Sequence, residues 1–542
     1  MGDAYYYDDR VARLQVHLEE VTRARPGSPE TRFIRTDSGV LDRLGSRFHH
    51  VLFGRRGAGK SSLLRHVEAE HRGSGHLVAW ADQETFMGLS YPDVLVSTLE
   101  EVFLHFSRQL RDEPQPIHKR RLWQLTRRAP SDRELLVARL DDAVAQLVGL
   151  KAAPSEAEIE WTASASRSVA AAVSKDRSAG LTTGPLKFGF GRKRTNTDSG
   201  TSGEGITHRY RTDKGEHLER AVSTYRSLML AVSRDKPDAF VILDDFYRLA
   251  EADQSRIAGY FHRVVKDTSV WLKIGSIRYW TRLYAGGSPA IGMQAPHDIR
   301  ELSLDRGLLD FKSSKRFLEE ILGALAAEAG VEVGQLFSDG ARDRLVLASG
   351  GVPRDYIGLI SESIAVAKNR GPSKKPGTER VIAEDVNEAA GRSVETKFND
   401  LDVDAGADAL SLRDLVVEVT NHCRKTESAC FLVDFREDDL VRQLNRLQNM
   451  RFVHSLDMNE SLPDQQSSRY NVYLLDVSQL AAQRAWQVDF MGWQKRERRR
   501  ARKLVLRTPS EAERSVPVVE QLFLDDAVAV VGDIDPPVEA PS

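Results

Sequence analysis

Residues 51–64 read VLFGRRGAGKSSLL, and the order of features within them is specific. The run FHHVLFG (Phe48 to Gly54) is aromatic and aliphatic and ends in glycine, the pattern of a short buried strand. GRRGAGKS then fits G-x-x-x-x-G-K-[ST], and SSLLRHVEAEH continues with Leu63, Leu64 and Val67 at helical spacing. Strand, glycine-rich turn and helix in this order form a cradle for phosphate. The glycines let backbone N–H groups face phosphate oxygens, and the helix N-terminus adds a favourable field. The expected contacts are Gly54, Arg55, Arg56, Gly57, Ala58, Gly59, Lys60, Ser61 and Ser62. Lys60 should reach the β and γ phosphates of a nucleotide, and the Ser61 hydroxyl should ligate Mg2+.

A phosphate cradle of this kind needs carboxylates at the same sheet edge. DAFVILDDFYRL (Asp238 to Leu249) supplies an apolar strand that ends in Asp244 and Asp245. Ligands of open α/β sheets bind at the carboxyl ends of the strands. Asp244 is therefore expected in the Mg2+ shell, and Asp245 as the group that orients or deprotonates an attacking water. HLVAWAD (His76 to Asp82), VWLKIGSIRYW (Val270 to Trp280) and DIRELSLD (Asp298 to Asp305) read as further strands. A long amphipathic helix at Tyr91 to Leu110 falls between them. Such alternation implies an α/β fold with a parallel sheet covered by helices on both faces.

The chain has 542 residues, room for three or four domains, with 41% hydrophobic and 29% charged residues. Its net charge of -2 conceals a basic run, KRERRRARK (Lys495 to Lys503), and a largely acidic tail after Glu511. Two cysteines, Cys423 and Cys430, without a histidine cluster, argue against a zinc site and against a disulfide framework. The N-terminus lacks the features of a secretory signal, and no stretch reaches the roughly 18–20 apolar residues that cross a bilayer. A cytoplasmic protein without a membrane partner is expected. Lys151 to Gly215 is rich in Ser, Thr, Gly and Ala and reads as an insertion, with a strand-like hairpin around LTTGPLKFGFGRKR (Leu181 to Arg194).

GRRGAGKS, VILDD, KIGSIR and GGVPRD, in this order, resemble the AAA+ and STAND class of P-loop ATPases. The resemblance is strongest to the origin-recognition, or initiator-like, branch and runs from about Phe33 to Asp476. It implies a P-loop NTPase core, a helical lid and a C-terminal α+β winged helix, with ATP and Mg2+ as cofactors. It also implies that Ser276 or Arg278 acts as the polar sensor after the fourth strand, and that Arg354 of GGVPRD is the lid's sensor arginine. The branch commonly has an Asp-Glu pair where this chain has Asp-Asp, which implies slow turnover. A neighbouring subunit would supply an arginine finger; Arg263, Arg278 and Arg282 lie in the right part of the sheet and none stands out.

The implied organisation is an N-terminal helical segment (1–32), an ATPase core (33–311) with its insertion at about 151–215, a lid (312–370), a linker (371–404), a winged helix (405–480) and a basic segment with an acidic tail (481–542). In the C-terminal part, Leu440, Leu444 and Leu447 mark one helical face. RFVHSLD and RYNVYLLD alternate like the arms of a hairpin. The helix before them presents Arg442, Gln443, Asn445 and Arg446, residue types suited to phosphates and base edges of double-stranded DNA. Its acidic start, Glu437-Asp438-Asp439, suits a protein partner equally well. The reading is a nucleotide-driven switch that assembles with copies of itself and engages DNA, or a signalling ATPase whose C-terminal domain binds protein.

Overall fold

The computed structural model describes residues 4–21, 38–112, 132–152, 158–161, 208–211, 214–236, 238–372, 379–426, 428–434, 436–461, 469–480 and 502–504. Its centre is a five-stranded sheet of β1 (His50–Phe53), β2 (Leu77–Asp82), β5 (Ala239–Asp244), β6 (Val270–Ser276) and β9 (Arg300–Ser303). The spatial order is β2-β5-β6-β1-β9, and every pairing is parallel. β1 and β5 are buried along their whole length, as apolar runs flanked by helices on both faces should be. One face carries a core of Leu99, Phe103, Phe106, Tyr225 and Phe261, and the other a smaller core of Leu52, Leu64, Trp80 and Ile242.

The helices follow their sequence signals. Lys60–Gly73 starts at Gly59, in the left-handed region at φ 94°, and carries Arg72 in its last turn, where a cation favours the helix dipole. Asp93–Asp112 follows Pro92 and buries Val94, Leu95, Leu99, Val102, Phe103 and Phe106 on one face against β2. Pro353–Arg370 has proline in its first turn and Gly371 at its end.

The insertion is bracketed by the helix Asp132–Ala152 and by a two-stranded antiparallel pair, β3 (Glu158–Trp161) with β4 (His208–Arg211). The hairpin expected at 181–194 lies outside the described residues, as do most of the basic run and the acidic tail. β7 (Tyr284–Ala285) and β8 (Ile291–Gly292) form a small hairpin between β6 and β9.

After the sheet come helices Phe311–Ala329, Asp339–Ala348 and Pro353–Arg370, then Ala383–Arg392 and Val394–Ala405. The C-terminal unit consists of helix Ala409–Lys425, β10 (Cys430–Asp434), helix Asp438–Asn449, and β11 (Val453–Ser461) paired antiparallel with β12 (Arg469–Leu475). β13 (Arg502–Lys503) adds to β10 in parallel. This unit does not keep a core to itself. Leu14 and Leu18 of the N-terminal helix Asp9–Val21, Leu322 and Ile360 of the lid, and Phe431, Leu447 and Tyr473 of the C-terminal unit belong to one continuous apolar cluster. The protein thus has two apolar bodies, the sheet with its helices and the helices after the sheet with the C-terminal unit, and the loop that follows β1 lies where they meet.

Candidate nucleotide site

The phosphate loop leaves β1 at Phe53 and turns through Gly57 and Gly59, at φ 81° and 94°. A side chain at Gly57 would be strained, and its β-carbon would meet Arg354 Cβ at 2.7 Å. The Arg354 amide donates to Gly57 O at 3.3 Å, so the first turn of the lid helix Pro353–Arg370 rests directly on the loop. Lys60, 6% exposed, donates to Gly54 O at 2.9 Å and Arg55 O at 3.3 Å, and burial lowers its pKa.

β6 lies between the loop strand β1 and the aspartate strand β5, so both reach the same sheet edge with one strand separating them. Asp244 is 3% exposed at the end of β5. Burial raises its pKa, while a hydrogen bond from the Asp245 amide at 2.9 Å stabilises its charge. Gly275 is required beside it, because a β-carbon there would come within 2.5 Å of Asp244 Oδ1. Asp245 takes a left-handed conformation, φ 49° and ψ 39°. Burial, and then the Asp244 charge, push its pKa up to about 6.

A strand interposed between loop and carboxylates, with a helical lid seated on the loop, decides the fold. The architecture is the α/β one of a P-loop NTPase. No family model matches the chain, and no curated protein matches it. Among solved structures, the ORC1 protein of Aeropyrum pernix, solved in complex with DNA, is 14% identical with a TM-score of 0.36. That likeness covers 86% of this chain and 94% of the other. A Walker-type ATPase of Pyrococcus abyssi is 12% identical over 85% of this chain and 99% of its own, with a TM-score of 0.41.

A cavity of about 430 Å³ opens at this P-loop. Arg56 to Ser62, Asp245 and Arg354 line it, which brings together the loop, one aspartate and the lid arginine named from sequence. Val21, Val40, Phe317, Ile321 and Ile357 form apolar wall, a surface suited to a base. The donor set suits Mg2+, a hard cation that keeps waters and substrate oxygens: a hydroxyl, Ser61, lines the cavity with the Asp245 carboxylate, and Asp244 ends β5. Among the described residues no group of three or more His, Cys, Asp or Glu could hold a metal by itself.

Other sequence candidates lie elsewhere. Ser276 is fully buried at the end of β6, its hydroxyl 2.5 Å from Thr281 Oγ1. Arg278 turns outward to pair with Glu301 at 2.6 Å. Arg263 pairs with Glu219, also at 2.6 Å. Arg55 lines no part of the cavity. It is 3% exposed and spans to the second body, donating to Arg306 O at 2.8 Å and Gly350 O at 2.9 Å, with His454 Nδ1 at 3.4 Å.

Sequence reasoning passed over Tyr247 and Arg248, which line the cavity immediately after the aspartates. The signal was present in VILDDFYR, where a cation follows the paired carboxylates by three positions. On the C-terminal unit, Asn445 is buried, Arg446 pairs with Asp408 at 2.5 Å and lies 4.4 Å over the Trp280 ring, and Arg442 pairs with Asp439.

Among the described residues, no helix is long and apolar enough to cross a membrane.

Proposed function

We propose that the chain binds ATP with Mg2+ and hydrolyses it slowly, as a molecular switch of the AAA+ initiator-like type. The observation that carries this reading is the convergence of Lys60, Ser61, Asp245 and Arg354 on one cavity, at the sheet edge where the buried Asp244 ends its strand. In this reading Lys60 and the loop amides hold the β and γ phosphates, and Ser61 and Asp244 hold the cation, which screens the phosphate charge. Asp245 accepts a proton from, or orients, the attacking water. Arg354 comes from the helix that follows the sheet body, so nucleotide bound in the cavity touches both bodies.

The C-terminal unit reads as a winged helix, with Asp438–Asn449 before the β11–β12 hairpin. Engagement of double-stranded DNA through Arg442, Gln443, Asn445 and Arg446, and nucleotide-dependent self-assembly, belong to the proposal. A second reading, a signalling ATPase whose C-terminal unit binds protein, is favoured by the seating of Arg446 on Trp280, which turns part of that helix toward the sheet body.

Purified protein tests both readings. Mg2+-dependent phosphate release from ATP, abolished by Lys60→Ala, supports the first proposal, and a wild-type rate in that variant refutes it. ATP-dependent binding to duplex DNA that weakens steeply with salt supports the winged-helix reading over the protein-binding one.

A further inference from the structure

Arg56 and Arg248 both face the nucleotide cavity, one from the phosphate loop and one from the turn that follows the paired aspartates. Both are held by one carboxylate. The Asp404 side chain is 2% exposed and lies 3.1 Å from Arg56 Nη1 through one oxygen and 2.5 Å from Arg248 Nη1 through the other. It sits near the end of the helix Val394–Ala405, which belongs to the body carrying the lid and the C-terminal unit. The same helix adds Asp400, 3.3 Å from Arg56 and 2.8 Å from Arg451. Lys397 on this helix pairs with the buried Asp476 at 2.6 Å.

Arg248 is not fully satisfied. Its guanidinium reaches Asp404 and Glu84, yet its Nε is a buried donor without an acceptor. Buried arginine donors normally find partners, and a planar guanidinium suits phosphate oxygens. A carboxylate shared by two cavity cations resembles, in charge and in donor geometry, the terminal phosphate that such cations would take.

Resting on the nucleotide-binding reading above, we propose that Arg56 and Arg248 are ligands of the terminal phosphate, and that Asp404 is the internal anion they hold in its place. A γ-phosphate brings more charge than one carboxylate and offers several acceptors, so a nucleoside triphosphate competes for the two guanidiniums. A diphosphate, one group shorter, leaves Asp404 in place. Triphosphate binding therefore frees the end of helix Val394–Ala405 from the sheet body, while the diphosphate preserves the contact. The preference arises because the triphosphate binds the released state better.

Full-length protein with Mg2+ tests this by calorimetric titration of ATPγS and ADP against wild type, Asp404→Asn and Arg248→Ala. Asp404→Asn keeps the side-chain shape and removes the competing charge. It should tighten ATPγS binding about tenfold, the scale of one charged hydrogen bond, and leave ADP within about twofold. Arg248→Ala should weaken ATPγS about tenfold with ADP unaffected, giving an independent arm if Asp404→Asn disturbs folding. Hydrogen exchange of residues 394–405 should rise with ATPγS and not with ADP. An ATPγS-to-ADP affinity ratio unchanged in both variants overturns the assignment while leaving nucleotide binding intact. Absence of binding by wild-type protein overturns the nucleotide reading, and this inference with it.

Discussion

Gly57 and Arg354 approach so closely that one added methyl on the loop would collide with the lid, at 2.7 Å from Arg354 Cβ. The contact couples the phosphate loop to the second body. Gly57→Ala should therefore do more than strain the loop. It should displace the lid and weaken nucleotide binding at least tenfold, since both a left-handed residue and a close approach are lost. A fluorescent-nucleotide titration measures this, and a variant with wild-type affinity would show that the lid contact is dispensable.

Lys60→Ala removes the cation expected at the β and γ phosphates. Loss of a charged hydrogen bond of about 1.5–3 kcal/mol should weaken nucleotide affinity by roughly 10- to 100-fold. The same titration, with circular dichroism to verify folding, checks it.

Asp245 gives a prediction for rate and one for stability. With its pKa at about 6, the carboxylate is ionised at neutral pH and protonated in mild acid, so kcat/KM should fall as pH drops through about 6. Asp245→Asn should slow hydrolysis far more than binding and flatten that limb of the profile. For stability the sign is opposite. An aspartate normally ionises near pH 4, so between that pH and about 6 the folded chain retains a proton that the unfolded chain releases. Asp245 therefore costs stability as pH rises through this window. Asp245→Asn should melt higher than wild type at pH 8, by roughly 1–3 kcal/mol, and match it near pH 3.

The buried trio Lys397, Asp476 and His454 anchors the C-terminal unit. Asp476 is fully buried, 2.6 Å from Lys397 Nζ and 2.8 Å from His454 Nε2. Although burial alone would raise it, Lys397 and His454 hold its pKa well below the ordinary carboxylate range. Lys397→Ala removes the buried charge's lysine partner, leaving it to His454 and Ser478, and should destabilise this body by about 2–4 kcal/mol in a urea titration. A loss under 1 kcal/mol would refute the pairing.

Gly350 lies under the His454 ring, where a β-carbon would come within 2.1 Å, at φ 58°. Gly350→Ala should separate the C-terminal unit from the lid turn, which limited proteolysis would detect as faster cleavage near residues 405–410. Unchanged digestion would show that the ring yields instead.

The phosphate loop, the five strands and the lid helices were legible because their signals are local: a spaced motif, apolar runs, caps, and leucines at helical intervals. The Arg56–Asp404 pair was not legible, because its partners stand 348 residues apart and ion pairs impose no periodicity. Arg55 and Arg56 show the limit most directly. They are adjacent and identical in type, yet Arg56 lines the cavity while Arg55 crosses to the C-terminal unit. Only the direction in which the backbone turns each side chain separates them. Arg446 was legible as a surface cation and not as a lid over Trp280, because tertiary packing determines which face of an amphipathic helix is covered.

The left-handed backbone at Asp245 bears on why the second of the paired carboxylates is an aspartate. Short side chains such as Asp and Asn tolerate that conformation better than longer ones. A glutamate here would gain one methylene of reach and a less comfortable backbone. The second carboxylate is thus short for a reason rooted in the main chain. Asp245→Glu is a trade between catalytic reach and conformational ease, and a faster but less stable protein is the form that trade would take.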